Sequence, residues 1–391
     1  MTRTRSTATL GVESFLERRD GTRPSTIGLV TNPSGVTSDL ESTIDLFHRS
    51  DTIRLEALFG PTHGIRGNEN SRAGVDGRVD ERTGVPVYNL SRRTKTGSAA
   101  QIEPLDLLVY DIQEVGTRFY TFVQTLERVL SVAADAATPV VVLDRPNPIA
   151  PLGHRGGIAD GPDGTALPIV HGMTIGELAR FFNDEFGIDA DLSVVTMDGW
   201  TRERWFDEYE LPWVPPSPNM PDLRTALVYP GTCMFEGTNL SEGRGTTLPF
   251  ELVGAPWIHA PDWATQLNEL DLPGVKFRPA YFRPLFSKHE RQDVEGVQIH
   301  VVDRSAFDPV DAGIAMLATV FREYSDCEWL NGSAGYVIDD LLGGSAVRER
   351  ISEVRRGVAP WIAIDRLRSQ WDDELAAFGP LAREYSIYGR S

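Results

Sequence analysis

The chain has 391 residues, more than one ordinary core holds, and 41% are hydrophobic, so two packed units are expected rather than a disordered chain. Its 56 acidic against 38 basic residues leave a formal charge of −18, which repels phosphate backbones and argues against nucleic acid as a partner. No apolar run approaches the roughly 18 residues of a membrane span, and two cysteines, Cys233 and Cys327, suit neither a disulfide framework nor a zinc site.

The first residues, MTRTRSTATLGVESFLERRD, hold no continuous apolar stretch, so no secretory leader is expected and a reducing cytoplasm is the default. Only Lys95, Lys276 and Lys288 are lysine; the other basic residues are arginine. Acidity with so little lysine resembles the proteins of a salt-in halophile, and a GC-rich genome would give the same arginine bias. At multimolar salt the Debye length falls below ~3 Å. Recognition would then rest on close contacts rather than long-range steering.

Short apolar runs alternating with helical patterns predict an α/β, Rossmann-like parallel-sheet N-terminal domain. The strands are Thr26–Thr31, Ile53–Phe59, Val85–Asn89, Leu105–Asp111 and Thr138–Asp144, with helices over Ser38–Arg49 and Phe119–Ala137. Four of these strands run into polar Gly/Pro loops: Asn32–Gly35, Gly60–Gly67, Ile112–Tyr120 and Arg145–Pro148. In a parallel sheet such loops share the carboxyl edge, where ligands bind. No G-x-G-x-x-G, P-loop or G-x-S-x-G is present, so dinucleotide, nucleotide and serine-esterase chemistry lack their signals. No cofactor is expected, and no metal.

Further along, Thr174 and Glu177 form a capping box for a helix to about Phe186, and Leu192–Met197 reads as a strand. Trp213–Pro221 carries prolines at 215, 216, 218 and 221, an extended connector. The domain boundary is expected just after it, giving residues 1–222 and 223–391, the second a smaller α+β C-terminal domain. That domain is predicted to hold a helix at Asp262–Leu270, strands at Val275–Phe286 and Val297–Asp303, and helices at Pro309–Glu323, Gly335–Leu342, Ser345–Arg355 and Ala359–Phe378.

The stretch Tyr229–Phe250, YPGTCMFEGTNLSEGRGTTLPF, packs Glu236, Asn239, Glu242 and Arg244 between glycines, a composition suited to a polar ligand. Several carboxylates, arginines and aromatics without a cofactor signature point to carbohydrate chemistry. Glycoside hydrolysis commonly uses two carboxyl groups, and the candidates are Glu114, Glu236 and Glu242, with Asp111 behind them. Glu114 beside Val115 suits a proton donor, and suits equally a salt bridge to Arg118 four residues on. Arg118 or Arg244 would hold an acidic sugar by a guanidinium fork. Tyr120 would donate a hydrogen bond or stack on the ring. His63 and His171 each have glycine beside them. Asn219 in the connector is a further contact, and Trp213 is expected to pack structurally.

GLVTNPSGV (Gly28–Val36), LFGPTHGIRG (Leu58–Gly67), DIQEVGTRFYTF (Asp111–Phe122), LDRPNP (Leu143–Pro148), HGMTIGEL (His171–Leu178), PPSPNMP (Pro215–Pro221), Tyr229–Glu251 and FSKH (Phe286–His289) follow one another in an order that resembles the exo-β-N-acetylmuramidase (NamZ-like) family. The resemblance covers essentially the whole chain. It implies a Rossmann-like domain without a dinucleotide, a smaller second domain, and an active site in the cleft between. It also implies removal of N-acetylmuramic acid, whose lactyl carboxylate suits an arginine clamp, from non-reducing ends of peptidoglycan fragments. On the matching motifs, Glu114, Glu236, Tyr120 and His63 would be catalytic. Asn32, Arg66, Arg118, Asn147, Asn219, Asn239, Glu242 and Arg244 would bind a small carbohydrate; a homodimer is left open. The family usually reads GPEHG where this chain has Gly60-Pro61-Thr62-His63-Gly64, so a glutamate expected in catalysis is Thr62. Glu69 is placed to reach the same space. A non-catalytic sugar-binding homologue is therefore the alternative.

Overall fold

A computed structural model describes residues 7–19, 23, 25–68, 78–89, 99–159, 166–333 and 335–389. In chain order the elements are α1 Gly11–Arg19, β1 Ser25–Thr31, α2 Thr43–Arg49, β2 Ile53–Gly60, β3 Arg78–Val79, β4 Pro86–Asn89, α3 Ala99–Ile102, β5 Leu107–Asp111, α4 Thr121–Asp135 and β6 Val140–Leu143. A hairpin follows, β7 Arg155–Ile158 and β8 Pro168–Val170, then α5 Ile175–Glu185 and β9 Leu192–Val195. The remainder is α6 Leu223–Thr232, β10 Leu252–Ala255, α7 Ala260–Glu269, β11 Val275–Phe282, β12 Val294–Val301, α8 Pro309–Glu323, α9 Val337–Leu342, α10 Ala346–Arg355 and α11 Pro360–Glu384.

The first sheet runs β3-β4-β2-β1-β5-β6-β9, parallel throughout except for the β3–β4 pair. Its parallel strands therefore follow the doubly wound order in which the chain reverses direction between β1 and β5, and ligands collect at that reversal. β1 is buried from Thr26 onward and carries the β-branched, apolar run of a strand covered on both faces. The second part packs the antiparallel sheet β10-β12-β11 against helices, with α8 buried along most of its length. The α/β and α+β readings both hold.

Differences from the sequence reading have local causes. α2 begins at Thr43, not Ser38, because Thr37 and Glu41 close a turn in which Leu40 has φ 65°. α6 was not foreseen, although Asp222 caps it by accepting from the N–H groups of Arg224 (2.9 Å) and Thr225 (3.2 Å). This helix runs through Pro230, so the Gly-rich stretch begins as its last turn. β11 ends at Phe282, and 283–293 is loop. The hairpin β7–β8 and helix α1 were also missed.

The capping box of α5 forms as expected, the Thr174 hydroxyl accepting from Glu177 N–H and the Glu177 carboxylate accepting from Thr174 N–H. The C-terminal residues then cross back to this helix. Ile387 N–H donates to Glu177 at 2.9 Å, and the Tyr388 hydroxyl donates to Asp144 at 2.7 Å while accepting from Met197 N–H at 2.9 Å. Asp144 is fully buried at the end of β6, and also accepts from Thr174 Oγ1 and Gly176 N–H, both at 2.8 Å. Burial still pushes its carboxyl up to about 7, these donors only partly offsetting it. Tyr388→Phe leaves a buried acceptor and a buried amide short of a partner. It should destabilise the protein by about 1–2 kcal/mol in urea denaturation, with unchanged far-UV circular dichroism.

Candidate active site

The loops at the carboxyl edge of the first sheet are tied to one another by buried polar groups. Arg145, after β6, donates to Asp111 at the end of β5 (2.5 and 3.0 Å), and Thr43 Oγ1 donates to the same carboxylate at 2.6 Å. Gln113 Nε2 reaches Pro146 O at 2.6 Å, and its N–H donates to Ser34 Oγ at 2.9 Å. Asn32 Nδ2 donates to Pro216 O at 2.9 Å, bringing the proline-rich connector against the β1 loop. Each is a buried polar side chain whose partner is protein, which keeps its desolvation cost offset.

Several residues expected to touch a ligand have protein partners. Asn32 and Asn147 are buried, and Asn147 donates to Met173 O (2.9 Å) while accepting from Ile149 N–H (3.0 Å). Asn239 Nδ2 donates to Asp326 O at 2.7 Å and its Oδ1 accepts from Glu328 N–H at 3.0 Å. Arg66 is forked onto Asp80 at 3.1 and 2.9 Å, with Asp45 at 3.5 Å. Arg118 is 3% exposed and donates to the carbonyls of Gly157 (2.9 Å), Leu167 (2.7 Å) and Leu342 (2.8 Å), joining the β7–β8 hairpin to the end of α9. Burial pushes its guanidinium down to about 10. It is held by these carbonyls and is not paired with Glu114.

Beside this scaffold lies a cavity of about 340 Å³ lined by Thr62 and His63 after β2, Tyr120, Thr121 and Phe122 at the start of α4, Ser217, Asn219 and Met220 of the connector, and Tyr229, Arg244 and Phe250 from the second part. One wall is a chain of edge-on aromatic contacts, Phe122–Tyr120 (4.9 Å), Tyr120–Tyr229 (5.7 Å) and Tyr229–Phe250 (4.7 Å). Burial raises the hydroxyls of Tyr120 and Tyr229 above the ordinary phenol value, so both remain proton-bearing donors. His63 has φ 76°, a left-handed conformation uncommon for a side-chain-bearing residue.

The polar end of the cavity is Arg244. Its Nη2 donates to Glu236 at 2.5 Å and its Nη1 to Glu242 at 2.8 Å, while its guanidinium carbon lies 4.7 Å over the Phe250 ring. Lys288 is 3.0 Å from the other oxygen of Glu242 and donates to the carbonyls of Phe235 (2.6 Å) and Leu240 (3.0 Å). Burial works to raise the Glu242 carboxyl, but Lys288 and Arg244 outweigh it and hold the group below the carboxylate range. Glu242 is thus a fixed anion that orients two cations rather than a proton donor. Glu236 is the more accessible of the two, its side chain 32% exposed, and also accepts from Cys233 Sγ at 3.3 Å.

Glu114 sits deeper, 1% exposed. One oxygen accepts from Gly116 N–H and lies 3.2 Å from His171 Nε2. Met173 N–H donates to His171 Nδ1 at 3.2 Å, so the ring proton is on Nε2, which lies near Glu114 without hydrogen-bonding to it. Glu69 lies outside the described residues. The arrangement suits a ligand with an apolar ring face and a carboxylate: aromatic wall on one side, guanidinium at the end. Of the expected site residues, His63, Tyr120, Asn219 and Arg244 line one cavity, and Glu236 adjoins it through Arg244. Tyr229, Phe250, Ser217 and Lys288 were not named as site residues, though all four lay within motifs already singled out; the proximity of Tyr120 to Tyr229 is invisible in one dimension.

Comparison with known sequences explains the shared geometry. The N-terminal domain of exo-beta-N-acetylmuramidase NamZ matches residues 27–224, and its C-terminal domain matches residues 227–388. The chain belongs to the exo-β-N-acetylmuramidase NamZ family. It is 42% identical over 369 residues to the peptidoglycan beta-N-acetylmuramidase NamZ of Bacillus subtilis, covering 93% of this chain and 86% of that protein. Two crystal structures of DUF1343 family proteins from Bacteroides fragilis superpose on it. One has TM-score 0.88 at 32% identity, covering 98% of this chain and all of the other. The second has TM-score 0.73 at 25% identity, covering 99% and 100%. Within this NamZ-family cleft the GPTHG loop puts Thr62 itself in the cavity wall.

Two expectations separate scaffold from site. Arg118→Met strands three carbonyls and should cost about 2–4 kcal/mol of stability, whereas Arg244→Met should cost ligand affinity. Because Glu242 has a depressed folded value, its contribution is present above the ordinary carboxyl value of 4.5 and is lost as pH falls through the folded one. Glu242→Gln should therefore flatten the stability profile on the acid side of pH 4.5, as read by thermal melts across that range.

Proposed function

We propose that this chain is an exo-acting glycoside hydrolase that releases N-acetylmuramic acid, or a closely similar acidic N-acetylated amino sugar, from the non-reducing ends of peptidoglycan fragments. The observation that carries this reading is Arg244 at the end of the cavity of a full-length NamZ-family chain. The sugar's lactyl carboxylate would take the place of Glu236 on the guanidinium while Glu242 stays paired, in a setting shielded enough for the pairing to discriminate. The aromatic wall would receive the ring, and Asn219 and Ser217 would bond its polar substituents.

Glu236 is assigned to proton transfer, since it is the accessible carboxylate next to the guanidinium. Tyr120 and His63 would orient the glycosidic oxygen from the other wall. Glu114 would act from behind Tyr120. Thr62 puts a hydroxyl in the cavity wall where the resemblance implies a carboxyl, and that favours a second reading, sugar binding without turnover. No described helix is long and apolar enough to cross a membrane. We place the protein in a reducing, salt-rich cytoplasm, in keeping with two buried free cysteines and the −18 charge.

The test is release of N-acetylmuramic acid from peptidoglycan fragments and from a chromogenic N-acetylmuramide at low and molar salt. Turnover is expected, with the matching N-acetylglucosaminide, which lacks only the lactyl group, at least tenfold poorer. Arg244→Met should remove that preference, and Glu236→Gln should lower kcat about 100-fold or more. Thr62→Glu should raise kcat. Saturable binding with no turnover in wild type, and turnover in Thr62→Glu, would establish the second reading instead.

A further inference from the structure

The FSKH motif places Lys288 in the charge cluster. Leu285 and Phe286 are 70% and 52% exposed, a large apolar pair in water. They stand on a loop whose shape is firmly fixed. Arg291 N–H donates to Pro284 O at 2.7 Å, and Arg283 donates to Asp293 at 2.9 and 2.6 Å, closing the base. His289 Nε2 lies 2.7 Å from Asn239 O, and Lys288 ties the loop to Phe235, Leu240 and Glu242.

Within it Ser287, His289 and Arg291 have φ of 75°, 55° and 59°, three left-handed conformers at side-chain-bearing residues. Such conformers persist where surroundings over-determine them, and they concentrate at binding sites. The loop also touches the cavity's polar end. Leu285 N–H donates to Gly245 O at 2.9 Å, one residue from Arg244. Gly245, at φ 83°, permits this approach, since a Cβ there would fall 2.4 Å from Phe286 O. A rigid, strained loop thus presents an apolar pair to solvent beside the cation that ends the cavity.

An enzyme that removes a terminal sugar must leave the rest of its substrate outside the pocket holding that sugar. We propose that the loop Pro284–Arg291 is the subsite for this leaving-group saccharide, with Phe286 as the stacking platform and Leu285 beside it. A pyranose presents an apolar C–H face that packs on an aromatic ring while its hydroxyls stay in water. The occupant is the next sugar of the substrate chain. This inference rests on the proposed function for the identity of the terminal sugar.

The experiment compares binding, by calorimetry, of two ligands: free N-acetylmuramic acid, and a hydrolysis-resistant thio-linked disaccharide of N-acetylmuramic acid on N-acetylglucosamine. Wild type should bind the disaccharide more tightly than the free sugar. Phe286→Ala should weaken disaccharide binding roughly tenfold and leave the free sugar unchanged, and Phe286→Tyr should restore it. Equal wild-type affinity for the two ligands, or a Phe286→Ala loss shared equally by both, would overturn the subsite. Turnover is scored separately: a wild type that hydrolyses nothing defeats the hydrolase reading while the affinity ratio still decides the subsite. Because Phe286 is exposed, the variant is expected to fold; a thermal melt within about 1 °C of wild type checks this.

Discussion

Arg244 occupies the end of the cavity with a carboxylate on each arm, and the chain around it is arranged to make that position tenable. A guanidinium withdrawn from water needs compensation, which Glu236 and Glu242 provide. Glu242 is itself buried, so it needs a second cation, and Lys288 supplies one. Lys288 in turn is held by backbone carbonyls of the segment that precedes the Gly-rich turn. The ammonium therefore locks the turn that presents the guanidinium. With all four side chains ionised the cluster is neutral, so a substrate carboxylate meets local positive charge only by competing for Arg244. Glu236, the more exposed partner, is the one best placed to yield.

The opposite wall depends on a different device. The carboxyl edge of the parallel sheet is where a doubly wound fold gathers its loops, and here those loops are bound together by their own amides, hydroxyls and guanidiniums. Asp111 receives Arg145 and Thr43, Asn32 captures the connector, and Arg118 fastens the hairpin to α9. A rigid edge fixes His63, Tyr120 and the connector residues relative to Arg244, which comes from the other part of the chain. Recognition by close contact needs that rigidity.

This explains what could be read in one dimension. The strands were legible because burial on both faces leaves continuous apolar runs, and α8 and the α5 capping box because their periodicity and caps are local. That the strand-end loops gather at one edge was legible too, since topology alone puts them there. Which protein partners the polar residues take was not. Asn32, Asn147, Asn239, Arg66 and Arg118 have the chemistry of sugar contacts, and a polar side chain looks the same in sequence whether its partner is substrate or a protein group far along the chain. Arg118 meets Leu342, more than two hundred positions away. Helix α6 was hidden by its proline, though Asp222 after Pro221 was a readable cap. Thr62 was noticed only against the family's motif, and its place in the cavity wall gives that departure chemical weight.

The most direct test of the central claim is a crystal structure of the protein with N-acetylmuramic acid bound. The account predicts the lactyl carboxylate within hydrogen-bond distance of the Arg244 guanidinium, the ring against Tyr120, Tyr229 and Phe250, and Glu236 shifted from its present contact. A sugar bound elsewhere, or bound in this cavity with its carboxylate turned away from Arg244, would contradict it.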